Sequence, residues 1–259
     1  MQNFNIPNFS IDLAGDVALV TGTTSGLGHR FAKVLAKCGA AVILTGRRED
    51  KLNSLAEEIR SDGGVCEAFV MDMTDRESIR SVVSAAEEKL GTITILVNNA
   101  GIPDAQRAIK MSDELIDSVI GTNLSGPYIL SCEIARRLIN QKRSGRIVNI
   151  SSIAAFDING QSSASLYSVT KAGIVRMTEA LALEWAKFNI NVNCIAPGAF
   201  STEMIDGMVD RIGDFSSSFP RKRFWQPEQM DSTLLFLVSP SSECVTGTVI
   251  KIDDGQGPR

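Results

Sequence analysis

The alternation of apolar and polar positions divides the chain into short β-rich segments and longer helical ones. Seven short apolar runs predict strands at 17–20, 41–44, 68–70, 95–97, 147–150, 192–195 and 249–252. Helical patterns lie between them, as over 27–37, 51–60 and 76–90, the last with Asp75 as N-cap and Gly91 after its end. Strands separated by helices form βαβ units. The pattern therefore predicts an α/β fold with a parallel sheet of about seven strands and helices on both faces.

Length and charge narrow the class of protein. The 259 residues, 44% of them hydrophobic, suffice for one core, so 1–259 is predicted to be a single domain with 1–14 as an N-terminal extension. A net charge of -4 disfavours a nucleic-acid partner. No apolar run approaches the roughly 20 residues that span a bilayer, and no basic and apolar leader begins the chain. We therefore expect a cytoplasmic protein with no membrane partner.

Metal-binding and nucleophilic side chains are scarce. The five cysteines are widely separated, and His29 is the only histidine. Neither a zinc site nor a Ser-His-Asp or Cys-His centre fits that composition. The sequence thus predicts no metal, and acid/base chemistry has to come from another side chain.

A glycine-rich turn follows the first predicted strand. Gly22 and Gly26 lie in the turn after that strand, and Gly28 lies at the start of the predicted helix, which stops at Gly39. Glycines at such a turn let a pyrophosphate approach the backbone at the positive end of the helix. Ordinary strand-to-helix turns also use glycine, but the position in the first βαβ unit favours a dinucleotide site.

The end of the second predicted strand bears on which dinucleotide binds. An acidic side chain there would accept a hydrogen bond from the free 2′-hydroxyl of NAD. Gly46 occupies that position, and the guanidinium groups of Arg47 and Arg48 suit the 2′-phosphate of NADP. The alternative is that Glu49 or Asp50 binds the ribose, although we expect both acids in the first turn of the next helix. NADP is therefore favoured, with NAD as the alternative.

Tyr167 and Lys171 stand four residues apart, which places them on one face of a helix. A nearby ammonium stabilises a phenolate and is expected to lower the phenol pKa from about 10 toward the range of a general acid/base. Such pairs also arise by chance. The pair predicts a proton donor only together with the motifs around it.

Six segments together resemble the short-chain dehydrogenase/reductase family over almost the whole chain. They are 21–28, Asn-Asn-Ala-Gly at 98–101, Asn123 within 121–124, the Ser-Ser pair at 151–152, 167–171 and Pro-Gly at 197–198. The resemblance implies a single Rossmann-type, doubly wound domain, commonly a homotetramer or homodimer. It also implies hydride transfer between NAD(P) and a carbonyl or secondary alcohol.

The resemblance assigns four catalytic roles. Ser152 would orient the substrate oxygen, and Tyr167 would exchange the proton. Lys171 would hold the nicotinamide ribose and acidify the tyrosine, and Asn123 would fix a water in a proton relay. Ser151 is the alternative serine; Ser152 is preferred because an Ile-Ala-Ala run follows it, as it does in relatives.

The resemblance also implies a cofactor site along the carboxyl ends of the strands. Its expected members are Gly22, Thr23, Thr24, Ser25 and Leu27 at the pyrophosphate, Arg47 and Arg48 at the 2′-phosphate, Asp72 and Met73 beside the adenine, Asn99 at the adenine-side ribose, Phe200 and Thr202 near the nicotinamide, and also Tyr167, Lys171, Pro197 and Gly198. Some have structural alternatives, namely caps for Asp72 and Thr202, a turn for Asn99 and core packing for Phe200.

Three departures from the family pattern concern substrate, assembly and cofactor. The gap from Ser152 to Tyr167 is two residues longer than the commonest spacing, which places an insertion in 156–165, beside the substrate. The chain has Asp-Asp-Gly at 253–255 where relatives usually have Asp-Gly-Gly, so contacts of the tetramer are expected to change. Ser25 replaces a basic residue of many NADP-dependent relatives.

The substrate is the least determined feature. Bacterial 3-oxoacyl-carrier-protein reductases are the largest similar group; Arg143 matches one of their two carrier-docking basic positions, but Phe188 occupies the other. Sugar-acid and polyol dehydrogenases share the core motifs, and the expected substrate lid, 202–224, mixes apolar and basic residues. The rival from another class is a non-catalytic dinucleotide-binding regulator, which would be expected to lack one of the four catalytic matches.

Overall fold

The computed structural model describes residues 11–157 and 164–257 and confirms the predicted alternation. The strands are β1 (Val17–Thr21), β2 (Ala41–Gly46), β3 (Cys66–Val70), β4 (Ile95–Asn98), β5 (Gly145–Ile150), β6 (Ile190–Pro197) and β7 (Val249–Ile252). They form one parallel sheet in the order β3-β2-β1-β4-β5-β6-β7. Most of the expected extension 1–14 and of the expected insertion in 156–165 lies outside the described residues.

The α-helices of the described part follow the predicted pattern. They are α1 (Gly26–Lys37), α2 (Glu49–Ser61), α3 (Arg76–Leu90), α4 (Asp113–Ile120), α5 (Gly126–Asn140), α6 (Ser165–Trp185), α7 (Glu203–Ile212) and α8 (Asp231–Val238). Asp75 caps α3 as expected, because its side chain accepts a hydrogen bond from Glu77 N at 2.9 Å. Within the described residues, no helix combines the length and apolarity needed to cross a bilayer.

Hydrophobic side chains cover both faces of the sheet. Successive residues of a strand point to opposite faces. Leu19 packs with residues of α3, α5 and α6, whereas its neighbour Val20 packs with residues of α1, α2 and α8. This arrangement confirms the doubly wound, Rossmann-type architecture.

The strand order reverses direction between β1 and β4. From β1 the chain builds outward to β3, and from β4 it builds outward to β7 on the other side. Such a reversal opens a crevice at the carboxyl ends of the strands, where ligands bind in sheets of this type. The segments that follow β1, β4 and β5 therefore meet at this crevice.

Candidate active site

The four residues expected to carry the chemistry lie around the carboxyl end of β5. Ser152 follows that strand, and Tyr167 and Lys171 occupy the first two turns of α6. Asn123 lies in a π-helical turn, Gly121–Ser125, between α4 and α5. Turns of this kind are rare and frequently occur at functional sites. We call Asn123, Ser152, Tyr167 and Lys171 the inner cluster.

The Ser152 side chain lies beside the Tyr167 hydroxyl, where it acts to lower the pKa of the phenol. Ser152 Oγ also accepts a hydrogen bond from Ala154 N at 3.1 Å, which begins a short 3-10 helix. Ser151 is different: it is 2% exposed, and its hydroxyl donates to the Lys171 carbonyl at 2.7 Å. The structure thus places Ser152, rather than Ser151, beside the tyrosine.

Lys171 is a buried cation. Its Nζ donates to the Ile150 carbonyl at 2.8 Å and lies 5.5 Å from the centroid of the Tyr167 ring. Burial lowers the pKa of Lys171 to about 8, although the interaction with Cys194 opposes that change. This ammonium therefore releases its proton more readily than an exposed lysine does.

The expected lowering of the Tyr167 pKa by Lys171 is wrong for this structure. Burial raises the pKa of Tyr167 to about 12; the hydrogen bond with Ser152 opposes the increase, and the charge of Asp104 adds to it. The reason is geometric. Helical spacing brings the two side chains to one face, but the ammonium is bound to the Ile150 carbonyl and lies over the ring.

Asn123 joins the segment after β4 to α6. It is 1% exposed; Oδ1 accepts from Ile102 N at 2.9 Å, and Nδ2 donates to Ile102 O at 2.9 Å and to Thr170 Oγ1 at 3.3 Å. A Cβ on Gly101 would lie 3.5 Å from both Asn123 Oδ1 and Lys171 Nζ. Asn123 is therefore a neighbour of Lys171, and its role in a water relay stays a prediction.

The glycine-rich turn is packed too closely to admit side chains at two positions. A Cβ on Gly22 would lie 2.9 Å from Ala100 Cα, and a Cβ on Gly28 would lie 2.3 Å from the Gly22 carbonyl oxygen. The Ser25 side chain does not cap α1, and the first turn of α1 has no acidic residue. The amide groups at this helix end therefore suit an anion such as a pyrophosphate.

Charged side chains border the cleft beside β2. Arg48 donates to Thr24 Oγ1 at 2.7 Å and to Ser25 Oγ at 3.0 Å, and it pairs with Glu203 at 3.0 Å. Lys51 pairs with the same carboxylate at 2.8 Å. Hydrogen bonds from Lys51, Ser25 and Arg48 lower the pKa of Glu203 to about 2. We call Arg48, Lys51 and Glu203 the charged rim.

The tip of β2 has no room for an acidic side chain. A Cβ on Gly46 would lie 2.8 Å from Thr24 Cγ2. Glu49 and Asp50 stand in the first turn of α2, as expected, and Arg47 is exposed next to them. The cleft therefore presents arginine, rather than carboxylate, directly after the strand.

Two expected cofactor residues are bound to the protein itself. Asp72 Oδ1 accepts hydrogen bonds from the backbone and the hydroxyl of Thr74, both at 2.8 Å, which is its alternative role in a turn. Asn99 Nδ2 donates to the carbonyls of Thr21 at 2.9 Å and Gly22 at 3.2 Å. Asn99 thereby fixes the glycine-rich turn against β4.

Three further side chains expected at the cofactor face the core. Thr23, Met73 and Phe200 are 0%, 6% and 3% exposed. The Thr23 hydroxyl donates to the Thr45 carbonyl at 3.3 Å, and Leu27 is partly buried against the same core. If Thr23, Met73 or Phe200 contacts a cofactor, the contact would therefore be made by the backbone of that residue.

The segment after β6 reaches the glycine-rich turn. Pro197 ends β6, and Gly198 is packed so tightly that a Cβ there would lie 2.3 Å from Gln256 Oε1. Thr202 caps α7, and its Cγ2 would lie 3.1 Å from a Cβ on Gly26. The start of the expected lid therefore lies against the start of α1.

The rest of the expected lid, 202–224, is tied down at its far end. Arg221 and Arg223 pair with Asp254 at 3.1 Å and 3.3 Å, and Asp254 is 8% exposed in its side chain and has a left-handed φ of 53°. Three rings pack edge-on, with centroids 5.1 to 6.0 Å apart: Phe215, Phe219 and Phe224. The aspartate at the unusual C-terminal position thus holds the lid arginines.

Sequence reasoning missed two residues that the structure brings to the site. Glu203 joins the lid to the charged rim, and Asp104 binds the start of α6. Neither belongs to a recognisable motif. The available signal for Asp104 is that a carboxylate stands a few residues after a central strand.

Comparisons with known proteins agree with this geometry. The family described as short chain dehydrogenase matches residues 16–212. The 3-oxoacyl-[acyl-carrier-protein] reductase of Thermotoga maritima is 38% identical over 94% of this chain and 98% of that protein. The NADPH complex of a variant actinorhodin polyketide ketoreductase is 31% identical, with a TM-score of 0.89 over 94% of this chain and 98% of that one. A candidate gluconate dehydrogenase from Agrobacterium tumefaciens is 32% identical, with a TM-score of 0.89 over 96% of this chain and 98% of that one.

The fold, the glycine-rich cleft and the inner cluster define a Rossmann-type oxidoreductase. With a family match over most of its length, the chain belongs to the short-chain dehydrogenase/reductase family. Its finer properties, namely cofactor preference, substrate and assembly, are proposals.

Proposed function

We propose that this protein is an NADP-dependent oxidoreductase that interconverts a ketone and a secondary alcohol. The observation that carries the proposal is that Ser152, Tyr167 and a buried Lys171 come together at the carboxyl end of the central strands. The uncapped start of α1 and the obligatory glycines fit a dinucleotide pyrophosphate.

In this proposal the residues of the inner cluster divide the work. NADPH supplies the hydride when bound. Ser152 Oγ holds the substrate oxygen, and Tyr167 Oη gives its proton to that oxygen as negative charge develops there. A phenol whose pKa is about 12 is fully protonated at neutral pH and thus ready to donate in the direction of ketone reduction.

The rim of the cleft supports NADP over NAD. Gly46 has no space for a carboxylate, and Arg47 and Arg48 follow it. Guanidinium groups bind phosphate oxygens well. Gly22, Thr24 and Ser25 would hold the pyrophosphate, and the remaining cofactor contacts stay as the family resemblance implies them.

Two substrate classes follow from the relatives. Relatives named as 3-oxoacyl-[acyl-carrier-protein] reductases and the ketoreductase favour a 3-oxoacyl thioester. The candidate gluconate dehydrogenase supports a sugar acid as the second candidate. Arg143 and Phe188 are both exposed, and Lys187 lies 5.0 Å from the Phe188 ring, so this surface offers only part of the basic pattern for an acidic carrier. We favour a thioester that need not stay bound to a carrier protein.

The outer face of α6 supports a homo-oligomer. Val169 and Leu183 are 64% and 84% exposed. Apolar residues exposed on one helix favour contact with another copy of the chain. A homotetramer or homodimer through this face is the assembly we propose, and sedimentation of the purified protein measures it.

Replacement of Tyr167 tests the proposed chemistry. Y167F removes the proton donor and keeps the ring, so turnover should fall by about 10²-fold or more while NADPH affinity changes little. The measurement follows NADPH and NADH oxidation with 3-oxoacyl thioesters, sugar-derived ketones and simple ketones. Y128F, at the only other tyrosine, is the matched control and should keep wild-type turnover.

Two outcomes would contradict parts of the proposal. Unchanged turnover in Y167F would refute the assignment of the proton donor. A clear preference of the wild-type protein for NADH would refute the role given to Arg47 and Arg48.

A further inference from the structure

We propose that Asp104 is a positioning residue of the active site, whose buried carboxylate caps α6 from the loop after β4 and fixes the placement of Tyr167. This inference rests on the proposed function only in taking Tyr167 as the proton donor. The geometry that carries it is independent of any cofactor.

The carboxylate of Asp104 makes three hydrogen bonds with backbone amides. Oδ2 accepts from Leu166 N at 2.9 Å and from Tyr167 N at 3.1 Å, and Oδ1 accepts from Ala105 N at 2.7 Å. Asp104 is 2% exposed. A carboxylate withdrawn from water to this extent requires such donors, and here two of the three belong to the first turn of α6.

Among the described residues next to the helix, no side chain substitutes for this cap. The N-cap position of α6 is Ala164, which has no side-chain oxygen, and no acidic residue stands in the first turn. The first amide groups of a helix need acceptors, and the helix dipole favours a negative charge at this end. Asp104 therefore supplies, from a segment more than 60 residues earlier in the chain, what a serine or aspartate usually supplies next to the helix.

The same loop connects the rest of the inner cluster. Ile102 lies two residues before Asp104, and both its backbone N–H and its carbonyl are hydrogen-bonded to the Asn123 side chain. Ala105, directly after it, has a φ of 49°, a left-handed conformation that costs a non-glycine residue energy. Strain of this kind persists where the surrounding structure fixes a conformation. Here the strained residue directly follows Asp104, whose carboxylate is hydrogen-bonded to α6.

The negative charge of Asp104 also acts on the Tyr167 hydroxyl, because it disfavours a second negative charge nearby. Ser152 also acts on this titration and opposes the increase, while Lys171 lies over the ring from the next turn of α6. From β6, the Cys194 thiol bears on Lys171. Asp104 thus holds the backbone of the tyrosine, and its charge adds to the larger effect of burial, which raises the pKa of the phenol.

D104N tests the placement without any need for turnover. The amide keeps the shape of the side chain, but it loses the charge and replaces one acceptor by a donor. Hydrogen exchange, followed by mass spectrometry on peptides that cover 164–172, should become about five-fold faster. The matched control is D16N: Asp16 is a mostly buried carboxylate at the opposite, amino end of the strands, where it pairs with Arg146. D16N should leave exchange in these peptides unchanged, and unchanged exchange in D104N would overturn the proposal.

Titration of the phenol separates positioning from general loosening. The chain has two tyrosines, so in a Y128F background the ultraviolet absorbance of phenolate reports Tyr167 alone. D104N should lower the midpoint, because a neighbouring negative charge is lost. An unchanged or higher midpoint would overturn the proposal. D104S, which is smaller and also neutral, takes the place of D104N if the latter does not fold.

The two proposals fail in different ways. Full turnover by Y167F would refute the proposed function, yet it would leave the exchange and titration results of D104N as they are. Unchanged exchange and titration in D104N, with turnover lost in Y167F, would refute only the role of Asp104.

Discussion

The inner cluster and the charged rim border the same cleft, but different forces hold them. Asn123 and Lys171 are 1% and 4% exposed and bind backbone carbonyl or amide groups at fixed distances. Arg48 and Glu203 are 42% and 52% exposed and hold each other by an ion pair. Exposed ion pairs contribute little to stability and weaken in salt, whereas buried hydrogen bonds are costly to break. The side chains of the inner cluster are therefore fixed in position by the fold, whereas Arg48 in the charged rim can exchange its ion pair with Glu203 for a contact with a ligand.

Removal of the buried charge should produce the largest change in the inner cluster. K171M keeps an unbranched side chain but has no ammonium near Tyr167. Because the family role of the lysine is to hold the cofactor ribose, turnover with NADPH should fall by about 10²-fold or more. K187M, at an exposed lysine beside Phe188, is the control and should keep its turnover. Near-normal activity in K171M would remove Lys171 from the site.

The same variant should be more stable than the wild type at neutral pH. The folded pKa of about 8 lies below the unfolded value of 10.5, so the unfolded chain binds more protons between these values. The destabilisation of the folded state by the buried, protonated Lys171 is therefore complete below pH 8, and it disappears as the pH rises toward 10.5. We expect K171M to gain about 2–3 kcal/mol in free energy of unfolding at pH 7.

Urea unfolding at several pH values measures this gain. The advantage of K171M should shrink steadily as the pH rises above 8. An advantage independent of pH would mean that improved packing, and not the loss of a buried charge, is responsible.

A smaller and selective change is expected at the charged rim. E203Q removes the negative charge that Arg48 and Lys51 share. If a 2′-phosphate binds these cations as proposed, Glu203 competes with it, so E203Q should bind NADPH about two- to three-fold more tightly at low salt and NADH unchanged. Fluorescence titrations at two salt concentrations give both affinities. E179Q, which breaks the exposed pair with Arg176 on α6, is the matched control, and equal effects on both cofactors would contradict competition at the rim.

The smallest expected effect is the relief of strain beside Asp104. Ala105 has a φ of 49° and is exposed, so A105G should raise the free energy of unfolding by about 0.5–1 kcal/mol. A108G, in a 3-10 helix without positive φ, should act in the opposite direction. Thermal unfolding compares the two, and a loss of stability in A105G would contradict the account of strain.

The sequence predicted the supporting framework better than the details of the site. All seven strands and three helices were predictable because apolar periodicity is a local property. The glycine-rich turn was predictable from its position between a strand and a helix, and the structure shows that two of its glycines have no room for a side chain. The inward direction of Thr23, Met73 and Phe200 was not, because it depends on how each element packs against its neighbours.

The sequence by itself determined the βαβ order, the glycine-rich turn and the presence of Asn123, Ser152, Tyr167 and Lys171 at family spacing. Only the tertiary structure decided which serine meets the tyrosine, that burial raises the pKa of Tyr167, and that Asp104 caps α6. These features depend on desolvation and on contacts between segments far apart in the chain. The spacing of residues along one helix or strand predicts neither the desolvation of a side chain nor its contacts with distant segments.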